Sequence, residues 1–420
     1  MELPKLQAIP EGARRAVLVL TALNLLNYVD RYVPSAVKDL IKTDLGLTDD
    51  ETSYPLSAFV IVYMLASPVV GSLADRYPRR VVIASGVALW SLATAAAAFA
   101  TGFWTLLIAR AFVGIGEAAY ATLSPAWLSD YYPPDRRNKV LTVFYVAIPV
   151  GSAIGFGLGG YLGQEFGWRA AFLIVGLPGV LAALAVLTVR DPGRGTFDTD
   201  KSEVPPTWRQ ALPALLGNRQ YAYAVGGYVL VTFASGALAD WFPTFLSRHR
   251  GMDLAEAGTL VGGATVVGGL GGTVLGGFLG DWLKGKTRQP YLALSGITMV
   301  IASGLAVLAF EVEGKLQIGL LIAGAQLFMW CYNAPINAIL VNSVSSGLRV
   351  RAFALSILLI HVLGDAISPP IVGIISRVTG DLHLGLLLVP ITMAASGIVW
   401  AIGWRVLPEP PAGARPGAAA

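Results

Sequence analysis

Charged side chains in apolar surroundings are the residues of this chain most able to do chemistry. Asp30 and Arg31 stand side by side in an apolar stretch near the N-terminus, and Arg110 and Glu117 lie seven residues apart in a later one. A charge at the centre of a membrane-spanning helix opposes insertion by about 2.5–3.5 kcal/mol. Four such charges therefore need partners or a function, and two acids with two arginines can form ion pairs that a proton makes or breaks.

Helix geometry predicts how these four charges pair. If the two helices cross a membrane in opposite directions, a rise of about 1.5 Å per residue places Asp30 level with Arg110 and places Glu117 deeper. Adjacent residues diverge by about 100° on a helix, so Asp30 and Arg31 face different partners. Two interpretations stay open. The charges could form an ion-pair network that docks two helices, or a protonation switch in a water-lined cavity, in which Asp30 and Glu117 titrate as a coupled pair.

The composition places these charges in a membrane. The 420-residue chain is 55% hydrophobic and only 13% charged, whereas soluble domains carry about a quarter charged residues. Apolar runs of about 20 residues can each cross a bilayer as a helix. Twelve such spans are predicted, at residues 16–37, 52–74, 80–99, 104–126, 138–162, 169–189, 221–246, 257–280, 290–310, 316–341, 352–375 and 383–405. The fold class is therefore an all-α polytopic membrane protein.

The basic residues predict its orientation. Most of the 30 Lys and Arg residues fall in the segments that an internal N-terminus would place in the cytoplasm, as basic residues in short loops prefer. We therefore expect both termini in the cytoplasm and a location in a bacterial inner membrane. Attraction to anionic membrane lipids explains the positive net charge, so no nucleic-acid partner is expected.

The chain divides once, at a segment rich in Pro, Gly and charge that cannot form a span. We predict an N-terminal six-helix half at residues 1–190, a cytoplasmic connector at 191–217, a C-terminal six-helix half at 218–408 and a disordered tail at 409–420. The stretch GSLADRYPRR follows the second span, and the similar GGFLGDWLKGK follows the eighth. Two pseudo-symmetric halves are typical of a transporter whose binding site lies where they meet, near the midplane.

The repeated loop predicts a cytoplasmic gate. Its charged side chains can form contacts when the inner side is closed and break them when it opens, which biases a two-state equilibrium. We expect the arginines to meet lipid headgroups or acids of the other half. Plain topogenic charge is the alternative. The candidate gate residues are Gly71, Asp75, Arg76, Arg79, Arg80 and, in the second copy, Asp281.

The second half carries a polar and aromatic stripe on one helical face, at offsets 0, 4, 7 and 11. The stripe consists of Gln326, Trp330, Asn333 and Asn337. It could face a cargo, or its amides could form hydrogen bonds between helices. His361 and Asp365, four residues apart, could be a second titrating pair, or they could brace a helix that loses a backbone donor at Pro369.

Two glycine-rich runs have simpler interpretations. The run at residues 262–277 has no Gly-Lys-Ser/Thr ending and no preceding strand, so it is not a phosphate-binding loop. We predict close helix packing through small residues four apart. The run at residues 151–160 is similar to an antiporter motif, but Phe156 stands where that motif has Pro. Antiport therefore does not follow from it.

Several stretches resemble known transporters. GSLADRYPRR resembles the signature loop of the major facilitator superfamily. NYVDRYV, the RAFVGIGEAAYATLSPAWLSD stretch, AIPVGSAIGFGLGG, GWRAAF and HVLGDAISPP resemble the spinster family. The resemblance implies a carrier of lysolipids or sphingosine 1-phosphate, with coupling to protons.

We therefore predict a proton-coupled transporter that moves an anionic amphiphile by alternating access. Its proton-coupling residues would be Asp30 and Glu117. The cargo would meet positive charge, amides and aromatic rings, supplied by Arg31, Arg110, Asn27, Tyr28, Tyr120, Trp330 and Asn333. A proton-linked carrier of a small organic anion or sugar phosphate is the alternative.

Other classes of protein fit less well. The chain has only three scattered His residues and one Cys, and it lacks a nucleotide-binding motif and the paired Gly-x-Gly-Asp setting of an intramembrane protease. We expect no enzymatic activity, no metal and no cofactor. We expect a monomer whose partners are the cargo, protons and membrane lipids.

Overall fold

Helices make up almost all of the computed structural model, which describes residues 9–193, 196, 207–345 and 348–408. The predicted tail and part of the predicted connector, including residues 197–206, lie outside the described residues. The chain forms two compact units. The first comprises Met1–Leu47 and Tyr54–Lys201, and the second comprises Thr48–Ser53 and Ser202–Ala420.

The helices up to residue 187 belong to the first unit, except for the first turn of α3. They are α1 (Ala13–Ala36), α2 (Lys38–Leu45), α3 (Asp49–Arg76), α4 (Arg79–Ala97), α5 (Phe103–Ser129) and α6 (Pro134–Leu187). Helix α6 is kinked at Gly167, whose φ of 80° and ψ of 161° are not helical. The two predicted spans at 138–162 and 169–189 lie on either side of this kink.

The second unit contains eleven helices among its described residues. They are α7 (Trp208–Leu216), α8 (Arg219–Arg250), α9 (Leu254–Val266), α10 (Thr273–Trp282), α11 (Pro290–Glu311), α12 (Lys315–Trp330), α13 (Asn333–Asn342), α14 (Arg349–Ile360), α15 (Ser368–Thr379), α16 (Leu382–Leu386) and α17 (Leu388–Val406). A π-helical segment, Val267–Gly272, joins α9 to α10. A second one, His361–Asp365, follows α14.

Nine helical segments of the described chain are long and apolar enough to cross a membrane. They are Asp49–Arg76, Arg79–Ala97, Phe103–Ser129, Lys139–Leu187, Arg219–Arg250, Leu254–Trp282, Pro290–Glu311, Arg349–Thr379 and Leu382–Val406. The long segment in α6 contains two predicted spans. The predicted spans at 16–37 and 316–341 fall on α1 and on α12 with α13. Neither helix is both as long and as apolar as the nine. The charged Asp30 and Arg31 lower the mean hydropathy of α1, and α12 has only 16 residues.

A stripe of glycines on α6 fixes the position of α1. Small residues four apart let two helix backbones approach closely. A Cβ atom added at Gly151 would come within 2.7 Å of the Leu25 carbonyl oxygen, and one at Gly155 within 2.7 Å of the Val29 carbonyl oxygen. Gly159 and Gly163 continue the stripe. Helix α1 therefore lies directly on the α6 backbone, which sets where its charged residues point.

A second glycine stripe lies in the second unit. Added Cβ atoms at Gly268, Gly272 and Gly276 would collide with α12 or with Cys331 just beyond it. At Gly268 the clash would be with the Cβ of Gln326, at 2.5 Å. The prediction that the run at 262–277 packs helices is therefore confirmed, and the stripe positions the polar face of α12.

The first turn of α3 is held by charged contacts within the second unit. Asp49 accepts two hydrogen bonds from Arg248, at 2.9 and 3.0 Å, and one from Ser376 at 2.6 Å. Asp50 pairs with Arg377 at 2.9 Å. The two parallel hydrogen bonds between Arg248 and Asp49 form a bidentate Arg–carboxylate pair, which is among the strongest ion-pair geometries.

Candidate functional site

Asp30 lies at the centre of a buried polar cluster in the first unit. Its side chain is 3% exposed. Thr94 of α4 donates a hydrogen bond to Asp30 Oδ2 at 2.6 Å, and Arg110 Nη1 of α5 lies 3.8 Å from Asp30 Oδ1. Among the described residues, Asp30 Oδ1 and both Nη atoms of Arg110 have no hydrogen-bond partner. Arg110, itself 2% exposed, is therefore an ion-pair partner of Asp30 with donors to spare.

The neighbouring pair is tighter. Arg31 Nη2 donates to Glu117 Oε2 at 2.6 Å, and Glu117 is fully buried while the Arg31 side chain is 20% exposed. The Arg31 guanidinium also lies 4.8 Å from the ring centre of Tyr28 and 4.9 Å from that of Phe59. Aromatic faces attract a cation, so Arg31 retains favourable contacts other than Glu117.

Close helix packing brings these groups together. An added Cβ at Gly86 of α4 would lie 2.7 Å from the Gly116 carbonyl oxygen of α5. An added Cβ at Gly114 would lie 2.5 Å from the Phe59 carbonyl oxygen of α3. Helices α3 and α4 therefore both contact α5 beside the charged residues. These contacts place Phe59 and Thr94 in the cluster.

The geometry agrees with the expectation that the two charges of α1 face different partners, and Asp30 pairs with the arginine predicted to lie level with it.

Asn27 is 1% exposed, with no hydrogen-bond partner for its Nδ2 among the described residues. Tyr120 is fully buried, and its hydroxyl donates to the Leu20 carbonyl oxygen at 2.5 Å. Tyr120 thus ties α5 to α1 and has no exposed surface to offer a cargo in this structure.

Two residues of this cluster were missed in the sequence. Thr94 shares its predicted span with two other hydroxyl residues, Ser85 and Ser91, so the sequence does not single it out. Phe59 gives no signal either, because its role depends on the close approach of α3 to Gly114.

The polar stripe of the second unit is divided by a turn. Helix α12 ends at Trp330 and α13 begins at Asn333. Trp330 Nε1 donates to Gln326 Oε1 at 3.3 Å, and Asn337 Nδ2 donates to Asn333 Oδ1 at 2.9 Å. Asn333 also reaches Thr273 of α10, at 3.4 Å. Most of these hydrogen bonds stay within the stripe, so the buried Gln326 and the partly exposed Trp330, Asn333 and Asn337 are held in fixed orientations.

His361 and Asp365 are hydrogen-bonded to each other. His361 Nδ1 lies 2.9 Å from Asp365 Oδ1, and both side chains are 25% exposed. They bracket a π-helical segment that is distorted at Gly364, where φ is −111° and ψ is −105°. An added Cβ at Gly236 of α8 would collide with Asp365. Because π-helical segments often occur at functional sites, this pair remains a second titratable candidate.

The candidate gate residues are in varied environments. Asp75, Arg76 and Arg80 are exposed, and Asp281 pairs with Lys284 at 2.6 Å. Among the described residues, no atom lies within 4 Å of a Cβ added at Gly71.

Arg79 differs from its neighbours and corrects a prediction. It is 6% exposed and donates to Asp130 at 2.6 Å and to Asp191 at 2.8 Å, both in its own unit. The expectation that Arg79 meets lipid or the other half is wrong, because two nearer acids already satisfy it. Burial, together with the nearby Asp191 charge, raises the pKa of Tyr131 to about 12, so that hydroxyl stays neutral beside them.

Replacing Arg79 with glutamine is expected to destabilise the protein by about 3 kcal/mol, because it leaves Asp130 and Asp191 without their shared cation. Thermal unfolding of the purified protein would measure the loss. Arg80→Gln is the matched control, since Arg80 is exposed and its replacement should have almost no effect. Equal stability of the two variants would contradict the assignment.

Comparison with known proteins agrees with this fold. The Major Facilitator Superfamily domain matches residues 20–369. Protein spinster of Drosophila melanogaster is 34% identical over 89% of this chain, and the chain spans 63% of that relative's length. Spinster homolog 1 of Homo sapiens is 33% identical over 87% of this chain and 74% of the relative. The probable sphingolipid transporter spinster homolog 2 of Arabidopsis thaliana is 28% identical over 93% of this chain and 86% of the relative.

A solved structure shows the same fold. It is the crystal structure of a bacterial homolog to the human lysosomal transporter spinster, in an inward-facing and unoccupied conformation. It superposes with a TM-score of 0.79 at 23% identity, covering 95% of this chain and 96% of that one. The fold and the domain match define a membrane transporter of the major facilitator superfamily rather than an enzyme. Within that superfamily, the chain belongs to the spinster family.

Proposed function

We propose that this protein is a proton-coupled secondary active transporter that moves an anionic amphiphile, such as a lysolipid or a sphingolipid-like molecule, by alternating access. The observation that carries the proposal is the presence of two buried acid–arginine pairs, Asp30–Arg110 and Glu117–Arg31, in one helical unit. We place the protein in a bacterial inner membrane as a monomer, with both termini in the cytoplasm. Gly71, Asp75 and Arg76 at the end of α3, Arg80 at the start of α4, and Asp281 would form the cytoplasmic gate.

Protonation would act by removing an anion from each pair. A neutral Glu117 no longer neutralises Arg31, and a neutral Asp30 no longer neutralises Arg110. Each freed guanidinium can then bind an anionic headgroup, which would lose its site when the acid ionises again. A ligand and a proton that both change the same buried charges can shift one equilibrium between two conformations.

The surroundings of the arginines support the proposed cargo class. Arg110 has two nitrogens without a hydrogen-bond partner among the described residues, and a phosphate can accept from both. Partly exposed aromatic surface beside Arg31 comes from Tyr28 and Tyr63. In the second unit, Trp330 stacks near Tyr332 with ring centres 6.3 Å apart. Charge with aromatic surface suits an amphiphile, and the name of the Arabidopsis relative, a probable sphingolipid transporter, supports a lipid-like cargo.

Chain length of the cargo is expected to set its affinity. Each methylene removed from water contributes about 0.8 kcal/mol, or roughly a fourfold change in the dissociation constant. Binding of lysolipids that share one headgroup and differ in acyl length should therefore tighten steadily with length, and the bare headgroup should bind weakly. Titration calorimetry on the purified protein would measure the series.

Arg110→Ala should weaken binding of every member of that series, whereas Arg169→Ala should not, because Arg169 is half-exposed and paired with Asp44. If the bare headgroup bound as tightly as the lysolipids, a carrier of a small organic anion or sugar phosphate would replace this proposal. If Arg110→Ala bound like the parent, Arg110 would have no part in recognising the headgroup.

A further inference from the structure

Helix α7 has an exposed apolar face that the transport mechanism does not use. Trp208, Leu212 and Leu216 are 50%, 41% and 63% exposed. They recur at every fourth position, so they lie within about 80° of one another around the helix. Ala214, also exposed, lies on the opposite side.

The adjoining face of α7 fixes the helix to the second unit. Ala211 and Leu215 are fully buried, and α7 packs against α8 and α14. Only Gly217 and Asn218 separate α7 from α8, which is long and apolar enough to cross a membrane. Three residue steps span at most about 10 Å. Helix α7 is therefore held close to the level at which a membrane span begins.

Basic residues of the described chain lie on and beside α7. Arg209 of α7, Arg219 at the start of α8 and Arg349 at the start of α14 are all exposed. Arg351 places its guanidinium 5.9 Å from the Trp208 ring centre. Val350, next to Arg351, is 77% exposed, so the start of α14, which packs against α7, also has exposed apolar surface.

We propose that α7 is an interfacial helix that lies in one leaflet surface and recognises anionic lipid headgroups. Trp208, Leu212 and Leu216 would enter the boundary between headgroups and acyl chains, where Trp is favoured. The four arginines would contact the headgroups. Helices with this division of apolar and basic residues bind anionic membrane surfaces. The proposal holds for any cargo, and in the orientation proposed above the leaflet is the cytoplasmic one.

Single-cysteine labelling tests the apolar contact. The chain has one cysteine, Cys331, which is fully buried, so a maleimide fluorophore should react only with an introduced cysteine. We would label Leu212→Cys and the matched control Ala214→Cys in full-length protein. Both would be reconstituted in vesicles of phosphatidylglycerol and phosphatidylcholine that carry brominated acyl chains. Quenching should be several-fold stronger at position 212 than at position 214.

Equal quenching at the two positions would overturn the proposal, because the apolar face would then be covered by protein or exposed to water. Labelling efficiency and thermal stability of each variant would be compared with those of the parent, and Leu216→Cys would provide a second probe of the same face.

Vesicle composition tests the charge. Raising the phosphatidylglycerol fraction should increase quenching at position 212, and adding salt should reverse the increase. Each basic residue near an anionic surface strengthens attraction roughly fivefold, so Arg209→Gln combined with Arg219→Gln should weaken the dependence on phosphatidylglycerol. Quenching that is independent of lipid charge would leave an apolar membrane contact and refute headgroup recognition.

Discussion

Replacing Glu117 with glutamine is expected to abolish transport driven by a pH gradient while the protein still folds and inserts. Glutamine preserves the shape of the side chain, and its carbonyl oxygen can still accept the hydrogen bond that Arg31 donates at 2.6 Å. It cannot ionise, so the charge that a proton would cancel is gone. Cargo uptake into vesicles would be measured with and without an imposed pH gradient. In both conditions, uptake by the variant should fall to the background rate of vesicles that lack the protein.

The control for this variant is Glu165→Gln, the same chemical change at an exposed position of α6, which should transport like the parent. Asp30→Asn should lose pH-driven transport as well, because Asp30 is the acid partner of Arg110. Undiminished pH-driven uptake in both single variants and in the double variant would rule out these two acids as the coupling site, even if the cargo were correctly identified.

Replacing Gly155 with leucine is expected to cost about 3 kcal/mol of stability and to stop transport. An added Cβ would lie 2.7 Å from the Val29 carbonyl oxygen, which is backbone and cannot rotate away. Overpacking of this kind costs roughly 1–3 kcal/mol, and sometimes more. Because Val29 precedes Asp30, the displacement of α1 should also separate Asp30 from Thr94. Thermal unfolding and vesicle transport would measure the two losses.

Gly304→Leu is the matched control. Gly304 also lies inside a helix, α11, but no atom of the described part of the chain lies within 4 Å of its added Cβ, and the residue is exposed. Leucine has a higher helix propensity than glycine, so this variant should be at least as stable as the parent. A comparable loss in both variants would mean that glycine flexibility, rather than close packing on α1, is what matters at Gly155.

The arrangement of the charges could be predicted because it depends on distances along a helix. A rise of about 1.5 Å per residue is enough to set Asp30 level with Arg110, and the angle between adjacent residues is enough to separate Asp30 from Arg31. The glycine run at 262–277 was predicted to pack helices for a similar reason, since spacing of four places its members on one face.

Other features depend on tertiary contacts that the spacing of residues along the sequence does not predict. The partners of Arg79 are Asp130 and Asp191, which are 51 and 112 residues away in sequence. They can be identified only when the positions of α5 and α6 are known. The contact of Phe59 with Arg31 depends on how closely α3 approaches α5 at Gly114. The π-helical segment His361–Asp365 has no distinct sequence signature, so a regular span was predicted there.

The glycine stripe of α6 has a consequence for inherited variation. Every amino-acid change reachable from a glycine codon adds at least a Cβ atom, so no missense mutation at Gly151 or Gly155 can avoid the α1 backbone. Exposed α6 residues such as Leu181, which is 72% exposed, can exchange among many apolar types. In a random mutagenesis screen for retained transport, tolerated changes along this helix should therefore recur at its exposed positions and be missing at every fourth residue from 151 to 163.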